Sequence, residues 1–89
     1  MKSIMQREVE CYFCGRTDSL ERHHALHGTA NRRLAEQDGL TVYLCADCHR
    51  ALHDKGIGDK ALQRAAESIW IRTYGTREEF IQRYGKSRL

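Results

Sequence analysis

Two Cys-x-x-Cys pairs constrain this chain of 89 residues more than any other feature of its sequence. The first pair is Cys11 and Cys14, the second is Cys45 and Cys48, and thirty residues separate the two pairs. Each pair lets two thiolates converge from one tight turn, and two such turns complete a tetrahedral zinc site. A chain this short has a small apolar core and commonly needs such a staple. The spacing predicts a structural zinc site, and an iron–sulfur centre or two disulfides are the alternatives.

The N-terminus has no apolar stretch of signal-peptide length, and no segment approaches the roughly 18 apolar residues that span a bilayer. These features predict a cytoplasmic protein that does not contact membranes, in which the cysteines stay reduced. The formal net charge is +3, and residues 46–89 hold nine basic and six acidic side chains. This excess suits a polyanionic partner, although a solvated helix end explains the charge equally well.

The chain has no proline, no repeat and no low-complexity run, so we expect a single domain over residues 1–89. Its core is predicted to span about 11–56, with a C-terminal helical extension over about 59–85. The expected strands cover residues 20–24 and 40–44. Four helices are expected. The first is capped by Thr29 and stops at Gly39, and the second covers 46–55. The third covers 60–74, with Asp59 as N-cap and Gly75 after its C-cap, and the last begins with the capping box at Thr76.

Helical spacing of apolar residues in the 60–74 segment predicts one buried stripe. Trp70 in this stripe and Phe80 in the last helix are therefore interpreted as core residues rather than as ligand contacts. The other members of the stripe are Leu62, Ala65, Ala66, Ile69 and Tyr74.

Five histidines are present, and four of them follow a pattern that suggests a second metal. His49 and His53 are four residues apart on a predicted helix, so both imidazoles lie on one face. His23 and His24 are adjacent on a predicted strand and must point to opposite faces. One of them can therefore complete a three-ligand site with open positions, while the other activates water. The alternatives are solvated surface histidines or a second closed zinc site.

The segment from Cys11 to His53 resembles the HNH, or ββα-metal, nuclease family. It contains a cysteine knuckle, the paired histidines, a central asparagine and the run Leu-Cys-Ala-Asp-Cys-His that ends at His49. The stretch from His23 to His49 resembles that of small stand-alone HNH proteins of phages and prophages that carry four zinc-binding cysteines. The resemblance implies a small α+β fold, with a ββα-metal core tied by the four-cysteine zinc site and followed by two C-terminal helices.

The resemblance also implies roles for individual residues. His24 would be the general base, and His23, His49 and His53 would hold one catalytic divalent ion, which is Mg²⁺, Mn²⁺, Ni²⁺ or Zn²⁺. The middle asparagine would be Asn31, with Asp38 as the second choice, and it would orient the catalytic histidine or assist the metal.

The resemblance assigns three further residues to the substrate or to the metal. Arg32 and Arg33 would contact phosphates, which positions a duplex without reading its sequence. His27 would either replace a helix ligand of the metal or contact phosphate.

These expectations make the chain a metal-dependent endonuclease that hydrolyses DNA, either a nicking enzyme or an accessory to phage packaging or recombination. The implied partners are DNA and either a second copy of the chain or phage packaging and recombination proteins. The alternative is a non-catalytic zinc-binding module that holds DNA or protein. Such a module needs the cysteines but has no use for the four patterned histidines.

Overall fold

The computed structural model describes residues 2–89, and Met1 lies outside the described residues. The architecture is a small α+β fold with one two-stranded antiparallel sheet and four helices within the described range. None of these helices is both long enough and apolar enough to cross a bilayer. The elements are β1 (Leu20–His24), α1 (Thr29–Asp38), β2 (Thr41–Cys45), α2 (Ala46–Lys55), α3 (Asp59–Thr73) and α4 (Arg77–Tyr84).

The sheet pairs β1 with β2 so that Leu20 lies opposite Cys45 and His24 opposite Thr41. The N-terminal segment covers the outer edge of β2, where the backbone N–H of Tyr43 donates to Gln6 Oε1 at 2.8 Å. The backbone N–H of Tyr12 donates to the carbonyl of the same Tyr43 at 2.8 Å. The edge of β1 that faces away from β2 has no strand beside it in the described part of the chain.

The apolar core lies between the sheet and the C-terminal helices, and Trp70 and Phe80 belong to it as predicted. The predicted stripe of α3 is correct at its centre but wrong at Tyr74, which is 42% exposed. The hydroxyl of Tyr74 donates to the carbonyl of Asp38 at 2.7 Å, which keeps the ring at the surface. Other large core side chains are Leu26, Leu40, Val42, Leu44, Leu52 and Leu62.

Two predicted helix starts are wrong by one residue. Gly28, rather than Thr29, is the N-cap of α1, and no side chain caps that helix. Gly58 is the N-cap of α3, because the carboxylate of Asp59 contacts other side chains instead of the helix N–H groups.

The predicted helix ends agree better with the structure. Gly39 ends α1 in the left-handed conformation, and the capping box between Thr76 and Glu79 opens α4. Gly75 follows the C-cap residue Tyr74 but is not among the residues with a positive φ, so it does not supply a left-handed cap.

Asp38 fastens the C-terminal helices to α1. Its Oδ2 accepts hydrogen bonds from Trp70 Nε1 at 2.8 Å, Tyr84 Oη at 2.6 Å and Arg83 Nε at 2.7 Å. Burial alone would raise the pKa of the Asp38 carboxyl, but bonds from Arg83, Tyr84 and Trp70 hold that pKa below its usual value. The carboxylate is therefore a charged structural anchor between three helices.

Candidate metal centre

The four cysteines meet at one point where the N-terminal knuckle, the end of β2 and the start of α2 come together. Their sulfur atoms all lie within 4.8 Å of one another. The sulfurs of Cys14 and Cys45 are 3.8 Å apart. A tetrahedral ion with metal–sulfur bonds of about 2.3 Å needs sulfur separations of about 3.8 Å. This cluster can therefore hold a metal ion such as zinc.

The surroundings of the cysteine cluster favour the thiolate at Cys11 and oppose it at Cys48. Burial opposes ionisation of Cys11, but backbone N–H groups of Cys45, Cys14 and Phe13 lower the pKa of its thiol to about 6. Burial and the neighbouring sulfurs raise the pKa of Cys48 to about 12. Four thiolates at one point repel each other, and a divalent cation removes that repulsion. The donor set thus fits a thiophilic cation.

Three histidines form a second cluster, called here the histidine cluster: His23 on β1, and His49 and His53 on α2. Each of the three residues offers one ring nitrogen, and these three nitrogens lie within 4.8 Å of one another. His49 Nε2 is 2.9 Å from His53 Nε2. His23 is 4% exposed, and its Nε2 has no hydrogen-bond partner among the described residues. Burial, and then the nearby His49 and His53, lower the pKa of His23 to about 4.

These features fit a metal site. A buried ring nitrogen without a partner costs free energy unless something else satisfies it. A neutral imidazole is the form that binds a metal, and His23 is held neutral. The structure thus brings together the three side chains that the sequence assigned to the catalytic ion.

Local folding explains how the histidine cluster forms. Because α2 begins directly after β2, and β2 pairs with β1, the helix face carrying His49 and His53 lies beside His23. Glu21 Oε1 is 2.7 Å from His49 Nδ1, which leaves Nε2 of that ring directed at the cluster. A carboxylate in this position commonly orients a metal-binding histidine. Glu21 was missed from sequence, although it lies two residues before His23 and so shares its strand face.

His24 lies apart from the histidine cluster, on the other face of β1. Its Nε2 is 3.0 Å from Glu36 Oε1 on α1. Arg22 binds the same carboxylate with both terminal nitrogens, at 2.6 and 2.7 Å. These bonds from Arg22, and then from His24, lower the pKa of Glu36 to about 2, so the carboxylate is charged at neutral pH. Glu36 was not predicted, because nothing local in the sequence pairs position 36 with position 24.

Neither candidate for the middle asparagine contacts His24 or the histidine cluster. The side-chain amide of Asn31 donates to the carbonyl of Tyr84 at 3.4 Å. Asp38 is the helix anchor described above, so its role is structural. Neither residue therefore contacts the histidine that it was expected to orient, and Glu36 is the residue that contacts His24.

The remaining predicted site residues lie near the histidine cluster or on the exposed part of α1. The ring of His27 is 6.0 Å from that of His23, but its Nε2 is 2.6 Å from Asp59 Oδ1, so it is not positioned as a replacement for a helix ligand. Arg32 and Arg33 are exposed and form no ion pair within residues 2–89.

Comparison of the chain with protein-family models, with curated proteins and with solved structures finds no match. Function therefore has to be inferred from the chemistry of the site. The site offers two separate donor sets, one of four sulfurs and one of three imidazoles. A closed four-sulfur shell suits a structural ion, whereas three imidazoles leave coordination positions open.

Proposed function

We propose that this chain is a metal-dependent endonuclease of the HNH type that hydrolyses DNA phosphodiester bonds. The observation that carries the proposal is the convergence of His23, His49 and His53, with the buried Nε2 of His23 left without a partner. The order of β1, β2 and α2 around this cluster supports a ββα-metal core. The four-cysteine cluster would hold a structural zinc ion that fastens the knuckle to β2 and α2.

His23, His49 and His53 would hold one divalent ion, and Glu21 would fix the ring of His49. When bound, such an ion neutralises charge on a phosphate and on the departing oxygen. The rest of the chemistry depends on the chain's own residues, because phosphoryl transfer is mainly a matter of positioning and electrostatics.

His24 is the side chain best arranged to accept a proton. An ionised Glu36 accepts a hydrogen bond, so the proton of neutral His24 resides on Nε2 and the lone pair on Nδ1. His24 Nδ1 would take a proton from water as the water oxygen bonds to phosphorus. The bond from phosphorus to the 3′ oxygen then breaks, leaving a 5′-phosphate and, after protonation, a 3′-hydroxyl. Glu36 stabilises the imidazolium that forms, as carboxylate partners of catalytic histidines do.

The substrate would lie across the open edge of β1. His23 and His24 face opposite sides of this strand, so a phosphodiester that touches both must cross its edge rather than either face. Since β2 occupies only one edge of β1 and no other strand within residues 2–89 pairs with it, a strand of DNA would approach along the other edge. Arg32 and Arg33 are exposed on α1, where they would bind backbone phosphates.

A plasmid-cleavage assay with added magnesium, manganese or nickel tests the proposal. Wild type should convert supercoiled plasmid to cut forms, and His24→Ala should lose about 10²–10⁴-fold in rate while keeping its bound metals. His53→Ala should lose both the second metal and cleavage. The control Arg72→Gln removes an exposed charge of α3 and should cut like wild type.

Absence of cleavage by wild type with all three metals would reject the enzyme and favour a non-catalytic zinc-binding module for DNA or protein. His24→Ala that cuts as fast as wild type would reject the assigned base. The proposed role of such cleavage is nicking, or an accessory part in phage packaging or recombination.

A further inference from the structure

A pocket lies between α1, α3 and the C-terminal tail, beside the histidine cluster. The side chains that give it its chemistry are His27, Asn31, Gln63, Lys86 and Arg88. The ring of His27 is 6.0 Å from the ring of His23, so this pocket, called here the tail pocket, adjoins the proposed metal site. None of the assigned steps of hydrolysis uses it.

The tail that forms one wall of the tail pocket is held by a buried carboxylate. Glu67 is 0% exposed and accepts hydrogen bonds from Ser87 Oγ at 2.7 Å and from the backbone N–H of Arg88. The guanidinium of Arg88 lies 5.8 Å from the centre of the Phe80 ring. Chain ends usually fray unless they are tied down, and burying a carboxylate is costly. The fold thus uses the buried carboxyl group of Glu67 to fix the tail beside the pocket.

The pocket walls offer hydrogen-bond donors and positive charge. Arg88 Nε–H is buried without a partner among the described residues, and the other bonds of this guanidinium go to backbone carbonyls. Lys86 is exposed and forms no ion pair within residues 2–89. The amide of Asn31 makes only a long bond of 3.4 Å. Two cations and an amide therefore face one cavity.

Two carboxylates border this region, and both already have partners. Asp59 accepts from Gln63 Nε2 at 2.9 Å and contacts His27 Nε2 at 2.6 Å. Glu67 lies behind the tail, where it binds Ser87 and Arg88. The cavity itself is lined by no acidic side chain. Its chemistry is that of an anion site.

We propose that the tail pocket binds a backbone phosphate of the DNA strand, close to the phosphate that is cut. This inference rests on the proposed function, which supplies the polyanionic strand beside the histidine cluster. Successive phosphates of one strand rise by about 3.4 Å, so a neighbouring phosphate can reach a pocket this close to His23. Lys86 and Arg88 neutralise that phosphate, and Asn31 donates to one of its oxygens. Such a contact positions the strand without reading its sequence.

Fluorescence polarisation with a short labelled duplex, without added divalent metal, tests the tail pocket. The protein is the full chain, and the variants are Lys86→Gln, Arg88→Gln and the control Arg72→Gln, which removes one exposed charge away from the pocket. One lost phosphate contact reduces the slope of log affinity against log salt by about 0.9. Lys86→Gln should show this change, which amounts to about eightfold weaker binding at 0.1 M salt, with an unchanged melting temperature.

The outcomes separate this inference from the proposed function. If the slope of log affinity against log salt is the same for Lys86→Gln and Arg72→Gln, the tail pocket is overturned. Only the net charge of the chain would then determine the affinity. A wild type that cuts DNA but whose affinity is insensitive to Lys86→Gln would overturn the pocket alone. A wild type that binds with the predicted Lys86 dependence but never cuts would support the pocket and reject the nuclease. No binding by wild type would overturn the pocket outright. If Arg88→Gln melts early, Lys86→Gln decides alone, because the exposed side chain of Lys86 does not hold the tail.

Discussion

Replacing Asp38 with asparagine should destabilise the fold without touching either metal cluster. Oδ2 of Asp38 accepts from Trp70, Tyr84 and Arg83, and Oδ1 accepts from Arg83 Nη2 at 2.9 Å. An asparagine oxygen can replace Oδ2, but its amide nitrogen then faces Arg83 Nη2, and two donors repel each other. The variant therefore loses one charge-assisted bond and the charge that strengthens the others.

The size of the effect follows from these contacts. A hydrogen bond to a charged group contributes about 1.5–3 kcal/mol, whereas removing one partner of a fully buried ion pair costs about 3–5 kcal/mol. The side chain of Arg83 is 32% exposed, so water compensates part of the loss. We expect Asp38→Asn to lower the free energy of unfolding by about 2–3 kcal/mol. That is a large share of the roughly 4–13 kcal/mol available to a chain of 89 residues.

Urea unfolding followed by fluorescence of Trp70, the chain's one tryptophan, measures this change. The matched control is Asp18→Asn, because Asp18 pairs with Arg16 at 2.8 Å but is 69% exposed, and it should cost less than about 1 kcal/mol. Because the pKa of Asp38 is lower in the folded chain than in the unfolded chain, its carboxylate stabilises the fold at pH values above the unfolded pKa of about 3.9. This stabilisation is lost as the pH falls through the folded pKa. The difference between wild type and Asp38→Asn should therefore shrink below about pH 4. Equal losses of stability for both variants at pH 7 would show that the bonds of Asp38 stabilise the fold no more than an exposed ion pair does.

Three further changes probe the knuckle, the turn before β2 and the proposed base. Cys14→Ser should lose one zinc per chain by metal analysis and unfold without cooperativity, because cysteine-rich sites contribute about 10 kcal/mol or more to folding; a zinc content equal to that of wild type would contradict this. In urea unfolding, Gly39→Ala should lower the free energy of unfolding more than Gly56→Ala does. Both glycines have a positive φ, which costs a residue with a side chain about 1–2 kcal/mol. Of the two, only Gly39 would also bring its new Cβ against a backbone atom, at 2.5 Å. Equal costs would contradict the contact. Glu36→Gln should lower kcat by at least about tenfold with unchanged KM and metal content, because His24 loses the carboxylate that fixes its tautomer; partial recovery in Glu36→Asp separates this positioning role from a structural one.

The local part of the fold could be predicted from the sequence. The strands and helices lie within about a residue of their expected bounds, since hydrophobic spacing, Gly39 and the Thr76 capping box are local signals. The two donor sets were also predictable. Cysteine spacing and the four-residue interval between His49 and His53 constrain which side chains can meet.

The contacts that orient the site were not predictable from the sequence. Glu36 contacts His24, which is 12 residues away in the sequence, and Asp59 contacts His27, which is 32 residues away. No local pattern links positions so far apart. Buried Glu67 was also missed, because its partners lie in the tail. Tertiary packing places all three carboxylates, and only that of Glu67 departs from the usual expectation that charged residues are solvated.

In the proposed function, the three imidazoles hold the ion on which DNA cleavage depends. The most direct test titrates manganese or nickel into protein that retains only its cysteine-bound zinc, and follows plasmid cleavage against metal added per chain. Activity should rise and reach a plateau at one equivalent of metal in wild type, and His49→Ala should show no activity at that ratio. Cleavage that is independent of added metal, or His49→Ala that follows the wild-type curve, would contradict it.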